Sequence, residues 1–427
     1  MNQANTTNQA IDNKTPKNLV FDWIRAFESD LHGISRDNEK ILDYVRSYLD
    51  QQSNPMGKKH GKKLTYVDLF CGGGGLSLGV HHALKTFGFD ARLLFACDND
   101  KAALDLVNHH FRPMVKSNEA VENLIKYSVD LSGENKNFIT FPEIKNQQIA
   151  QFKGKIDLLV GGPPCQGHSN LNNKTRRHDP RNLLYFIMPA FSVALDIPLL
   201  IIENVRAITN ASEKVIPISK QLLETNGYKV VERVLEATDF GIAQTRRRHF
   251  LIASKIEQPN IFEAVENLKR DTLSFDDVNS NLTPLDKFPR ILETNAELSE
   301  DNKKRIQHLH ESNELILEDA LRPVCHQDGH TYPSVYGRLE GGKPAGTITT
   351  GFMSPGRGRY IHPHEPRMIT IREAARLQAF PDWYFKDVGL LKLNKARLTK
   401  IIGDAVPSLM VYPIIASLMN SIETLKN

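Results

Sequence analysis

An α/β protein with a doubly wound, mostly parallel sheet and a smaller second domain is what the sequence predicts, and three stretches predict it. Ile156-Asp157-Leu158-Leu159-Val160 is a short, nearly continuous apolar run of the kind that makes a strand buried on both faces. Tyr66-Val67-Asp68-Leu69-Phe70 leads through Cys71 into the glycines at 72–75 and then a helical pattern over residues 76–87. Leu199-Leu200-Ile201-Ile202 is a further apolar run, ending in Glu203-Asn204-Val205. Strands alternating with helical segments build parallel sheets, and such sheets gather ligands at the carboxyl ends of their strands.

Composition sets the outer bounds. With 427 residues, 40% hydrophobic and 24% charged, the chain has material for two or three domains and a sizeable core. A net charge of +4 is mild, so any nucleic-acid partner has to be met by a local basic patch. Cys71, Cys97, Cys165 and Cys325 form no C-x-x-C pair, which speaks against a disulfide scaffold or zinc site and leads us to expect no metal. The polar start does not read as a signal peptide, and no apolar run reads as a membrane span, so a cytoplasmic protein without a membrane partner is expected.

Taken in order, residues 1–17 read as disordered and residues 19–48 as one or two helices. Residues 55–63 are a basic linker, readable as a solvated tether or a phosphate clamp. The glycine loop opens the first strand–helix unit. Its spacing misses the G-x-G-x-x-G of dinucleotide enzymes, because Ser77 stands at the third glycine, which lowers the case for NAD. The next strand, residues 91–97, ends in Asp98, an acid placed to accept from ribose hydroxyls. Asp130 is read as closing a third strand, near adenine or in an exposed loop.

The Ile156–Val160 run comes next. Gly161-Gly162-Pro163-Pro164 stops it abruptly and delivers Cys165, a candidate nucleophile at a strand end. The following loop carries Lys174, Arg176 and Arg177 and reads as a phosphate-contacting lid or a solvated loop. Glu203 then arrives at the same sheet edge, where a carboxyl raised by burial can handle protons; a structural ion pair is the alternative. In Gln244-Thr245-Arg246-Arg247-Arg248, strand alternation puts Arg246 and Arg248 on one face, suited to an anionic or carbonyl-rich ligand. From residue 255 helical stretches mix with charged turns, and residues 351–364, with Arg357 and Arg359, are glycine-rich and basic, fit to lie along phosphates. Thr370 with Glu373 is a capping box opening a helix.

Together DLFCGGGG, PPCQ, ENV, QTRRR and REAARLQAFPD, in this order and spacing, resemble the bacterial cytosine-C5 DNA methyltransferases over residues 66–418. The resemblance implies a Rossmann-like S-adenosylmethionine-dependent methyltransferase fold. It implies an N-terminal extension at 1–60, a catalytic and cofactor-binding domain at 61–254, a target-recognition domain at 255–366 and a C-terminal return at 367–427. Phe70, Gly72, Gly74 and Gly75 match the cofactor loop, Asp98 the ribose acid, Asp130 the adenine contact, and Leu184 a residue lining the cofactor pocket. Pro164, beside the cofactor, and Cys165 match the catalytic dipeptide, Glu203 the acid, and Arg246 and Arg248 the arginines beside the target base. Gln166, Lys174, Arg176, Arg177, Arg357 and Arg359 are the candidate DNA contacts. Two positions depart from the family pattern. Asn99 stands where an aromatic often stacks on adenine, and Asp404 where an asparagine is common. The resemblance further implies duplex DNA as substrate, S-adenosylmethionine as cofactor, and a restriction endonuclease as partner in the same system. An RNA-modifying relative would carry a Cys-Phe-Thr segment, which is absent.

Overall fold

The computed structural model describes residues 38–51, 53–54, 61–132, 137–164, 180–210, 214–280, 282, 289–327 and 334–427. Expectations for residues 1–37 and 55–60 therefore lie outside the described residues. The central sheet holds β1 (Lys62–Leu69), β2 (Phe89–Cys97), β3 (Val115–Ser117), β6 (Leu158–Gly161), β7 (Leu199–Val205), β8 (Lys229–Glu236) and β10 (Arg247–Ser254). Their order is β3-β2-β1-β6-β7-β10-β8, with only β10 running against the other strands. The doubly wound, mostly parallel sheet is the one read from the sequence.

Period-two alternation explains the layers. Leu158, Val160, Leu199 and Ile201 join one buried cluster with the Gly75–Thr86 and Lys101–Phe111 helices, while Leu159, Leu200 and Ile202 join another with Ile187–Ala194 and Val215–Thr225. Both faces are covered, which is why these strands are apolar at every position.

One register row organises the site. Cys97 pairs with Leu69, Leu69 with Gly161, and Gly161 with Ile202. The residues just beyond that row are Asp98, Phe70, Gly162 and Glu203. Because β10 runs antiparallel to β7, its first residues start from the same edge.

The third strand differs from the expectation. Residues up to Asp130 form β4 (Ile125–Asp130), which pairs antiparallel with β5 (Asn137–Ile144) in a separate two-stranded sheet. Lys126, Ser128 and Asp130 are too polar for a strand covered on both faces, and the three-residue β3 takes the place beside β2.

Beyond Ser254, helices Ile261–Leu268, Phe275–Asn279 and Glu300–Glu311 precede the short strands β11 (Gly337–Arg338), β12 (Ala345–Gly346) and β13 (Arg359–Ile361). Among the described residues the segment forms no separate apolar cluster. Ile261, Phe275, Ile306 and Phe352 continue the cluster that holds Tyr66 and Leu84. β12 pairs with β9 (Gln244–Thr245), the strand fragment preceding β10. The capping box forms as expected, with Thr370 and Glu373 satisfying each other's backbone at the start of Ile371–Leu377.

The Asn38–Leu49 helix docks on the main body. Tyr48 hydrogen-bonds Ser408 Oγ at 2.9 Å and stacks on His82, and Asp50 pairs with Arg376 at 2.5 Å. The helical run Lys395–Ser417 corrects one expectation: by length and composition it could cross a membrane. Its apolar window is 89% buried, as in the core helix of a folded domain.

Candidate active site

The glycine loop is closed behind and open in front. Gly74 (φ +81°) and Gly72 (φ +49°) adopt left-handed angles that side chains resist. A Cβ on Gly74 would lie 2.5 Å from Tyr384 Oη, one on Gly73 2.2 Å from Ile401, and one on Gly75 2.4 Å from the Val406 carbonyl. Tyr384 Oη also donates to the Gly73 carbonyl at 2.7 Å. At Gly72 a Cβ would meet nothing within 4 Å. The C-terminal return thus backs the loop and leaves the Gly72 side accessible.

Asp98 sits at that opening. Its Oδ2 accepts from Gly72 N and its Oδ1 from Asp100 N, each at 2.8 Å. Burial raises its pKa against the pull of those bonds. Phe70 and Leu184 lie half-buried on one apolar cluster. An open glycine backbone, an acid with lone pairs to spare and a half-exposed aromatic fit the nucleoside end of S-adenosylmethionine. Beneath them Asp68 is fully buried, accepts from Ser77 Oγ at 2.6 Å, and has its carboxyl pushed up to about 7 by burial.

The structure does not bring every candidate equally close. Asn99 is exposed beside Asp98. Asp130 ends the side hairpin, and Ser132 N and Oγ both donate to its Oδ1, holding its pKa low. Asp404 is exposed and takes Lys400 Nζ at 2.7 Å, the i,i+4 pairing of a helix surface.

At the second strand end, Pro164 is the last described residue before the loop. Cys165, Gln166, Lys174, Arg176 and Arg177 lie outside the described residues. What precedes them is well fixed. Asn204 Nδ2 donates to the Pro163 carbonyl at 3.2 Å, and a Cβ on Gly162 would lie 3.1 Å from Glu203 Oε2. The acid therefore stands against the turn that leads to the cysteine.

Glu203 is 8% exposed, and Arg248 Nε lies 2.9 Å from its Oε1. Burial pushes the Glu203 carboxyl up, against the pull of Arg248, Arg246 and His249. The paired arginines divide their work. Arg246 Nη1 donates to the Ile348 carbonyl at 3.0 Å and Nη2 to the Ala405 carbonyl at 2.9 Å, while Arg247 turns outward to Glu236. Alternation is as expected, but Arg246 spends its guanidinium on backbone carbonyls. Arg357 is exposed, whereas Arg359 is half-buried and pairs with Glu340 at 3.4 Å.

Sequence reasoning missed Asn204, Tyr384, Gln244 and Gln378. Asn204 was legible as the middle of ENV; the others contact segments far away in sequence.

A glycine loop and acid on β1 and β2, with a second acid and an arginine on β7 and β10, on this strand order define the Rossmann-like S-adenosylmethionine-dependent methyltransferases. A model of the family described as C-5 cytosine-specific DNA methylase matches residues 64–420, and the chain belongs to that family. It is similar to the Type II methyltransferase M1.BsuMI of Bacillus subtilis, at 38% identity over 376 residues, covering 86% of this chain and 83% of that one. The Type II methylase M.HgiDII of Herpetosiphon aurantiacus is 30% identical over 370 residues, covering 84% and 96%. Among solved structures, the Entamoeba histolytica methyltransferase EhMeth superposes with a TM-score of 0.55 at 14% identity, over 84% of this chain and 99% of that one, a likeness of fold. The activity is that of a DNA cytosine-5 methyltransferase using S-adenosylmethionine.

Proposed function

We propose that this enzyme methylates C5 of a cytosine flipped out of a specific duplex sequence, through a transient Cys165 thiol adduct at C6. The observation that carries this reading is the closeness of Glu203 to Gly162, three residues before Cys165, with its neighbour Asn204 bonded to the Pro163 carbonyl. Cytosine C5 is a poor nucleophile until the ring's conjugation is broken. Thiolate attack at C6, with protonated Glu203 holding a proton at N3, makes C5 nucleophilic. Arg248, oriented by Glu203, holds O2 and offsets negative charge there. S-adenosylmethionine supplies an electrophilic methyl group, held by the glycine loop and Asp98. Loss of the C5 proton and elimination of the thiol restore the aromatic ring. None of these atoms is accessible within a duplex, hence the flipped base.

Residues 255–366 read the target sequence in this proposal, with Arg357 free to reach DNA and Arg359 tempered by Glu340. Gln166, Lys174, Arg176 and Arg177 contact DNA around the extruded base. The Type II names of the relatives support a cognate restriction endonuclease and a cytoplasmic setting. Labelled methyl should pass from S-adenosylmethionine to duplex DNA and not to tRNA, and Cys165→Ser should abolish transfer. Duplexes containing 5-fluorocytosine should trap the wild type covalently. An active enzyme that is never trapped would overturn the adduct.

A further inference from the structure

Two glutamines that the chemistry above does not use meet in the interior. Gln244 and Gln378 are both 0% exposed, and Gln244 Nε2 donates to Gln378 Oε1 at 3.0 Å. Gln244 Nε2 also donates to the Leu377 carbonyl at 2.7 Å, and its Oε1 accepts from Ile348 N at 3.0 Å. Gln378 Nε2 donates to the Ile402 carbonyl at 2.7 Å. Two side chains thereby fasten four segments: the strand leading to Arg248, the return from the recognition region, the capped helix, and the turn behind the cofactor loop.

We propose that Gln378, acting with Gln244, is a positioning residue for methyl transfer, setting Arg246 and Arg248 against both the catalytic acid and the cofactor-side turn. This rests on the adduct mechanism proposed above. Gln244 begins the strand fragment whose register delivers Arg248 to Glu203 four residues later. Ile402 and Ala405, bonded to Gln378 and Arg246, flank the residues that back the loop: Ile401 against Gly73 and Val406 against Gly75. Thr350 N would lie 2.3 Å from a Cβ on Gly403, so the recognition return rests directly on the same turn.

An apolar pair of similar volume would fill this space without the desolvation cost of two amides. What hydrocarbon cannot do is fix distances to named carbonyls and N–H groups. Arg248 needs that fixity, because a charge-assisted bond to Glu203 loses strength when its geometry drifts.

The test is single-turnover trapping on a 5-fluorocytosine duplex with S-adenosylmethionine, for wild type, Gln378→Leu and the Gln244→Leu/Gln378→Leu double variant. End-point stoichiometry counts competent molecules, and the rate constant reports their chemistry. Gln378→Leu should keep near wild-type stoichiometry and trap at least about tenfold more slowly. The double variant should be no slower than about twofold beyond the single one, as for residues acting as a unit. Unchanged rate per trapped molecule, or a fall in stoichiometry alone, would reduce the pair to packing and overturn the proposal. Gln378→Glu decides the matter if the leucine variant does not fold. Its rate relative to wild type should recover as pH falls, because a protonated carboxyl again donates to Ile402; a flat ratio would overturn the proposal. Should the wild type itself not be trapped, the adduct mechanism fails instead.

Discussion

Arg248 Nε meets Glu203 Oε1 at 2.9 Å across two antiparallel strands, and both groups are withdrawn from solvent. In the proposed mechanism the acid has to be protonated to hold the N3 proton, and burial is what favours that form. Glu203→Gln should lower kcat by about 10²–10⁴-fold with DNA affinity nearly kept. The wild-type rate should fall as pH rises through the raised Glu203 pKa. A glutamine variant with wild-type kcat in a radiolabel assay would count against the acid.

Asp68 gives a separate pH signature. Its carboxyl titrates near 4 when unfolded and at about 7 when folded. A raised value means the associated stability is fully present below about pH 4 and is lost as pH rises through about 7. The swing is roughly 4 kcal/mol at most. Asp68→Asn should flatten the dependence of Tm on pH between about 4 and 7, relative to wild type. Parallel curves in calorimetry would show that Asp68 does not titrate there.

Gly74→Ala combines a left-handed backbone with a Cβ placed 2.5 Å from Tyr384 Oη. It should destabilise the fold by about 1–3 kcal/mol and weaken S-adenosylmethionine binding in calorimetric titration. Tyr384→Phe, which only removes the bond to Gly73, should cost about 1 kcal/mol. Equal effects of the two would mean that sterics at Gly74 are not limiting.

The Asn38–Leu49 helix should be integral to the fold. Tyr48 is 3% exposed, so Tyr48→Ala should cost about 3 kcal/mol and open the N-terminal region to limited proteolysis. An unchanged denaturation midpoint would mean the helix contributes no stability.

Asp404→Asn, which neutralises an exposed carboxyl, should be nearly silent. The carboxyl is exposed and paired only at the helix surface, so stability should move by less than about 0.5 kcal/mol. S-adenosylmethionine KM should stay within about twofold. A tenfold change would place Asp404 in the cofactor site.

The sheet and strand ends were legible because a strand covered on both faces has to be apolar throughout, as Leu158–Gly161 and Leu199–Ile202 are. Glu203 and Asp98 stood out as acids closing such runs. The carbonyl partners of Arg246 were not legible, because alternation gives a side chain's direction and not its partner. Ile348 and Ala405 lie 102 and 159 residues away in sequence. Asp130 was put on the wrong sheet because β4, polar on alternate positions, reads like any half-exposed strand.

The register row through Cys97, Leu69, Gly161 and Ile202 acts as a ruler. Neighbouring strands lie about 4.8 Å apart, so spacing between Asp98 and Glu203 comes from ladder geometry and not from side-chain fit. Substitutions in the surface segments leave that spacing intact. Deleting a single residue within β6 would do the reverse, shifting its register by one and re-aiming the Gly162–Pro164 turn at its end.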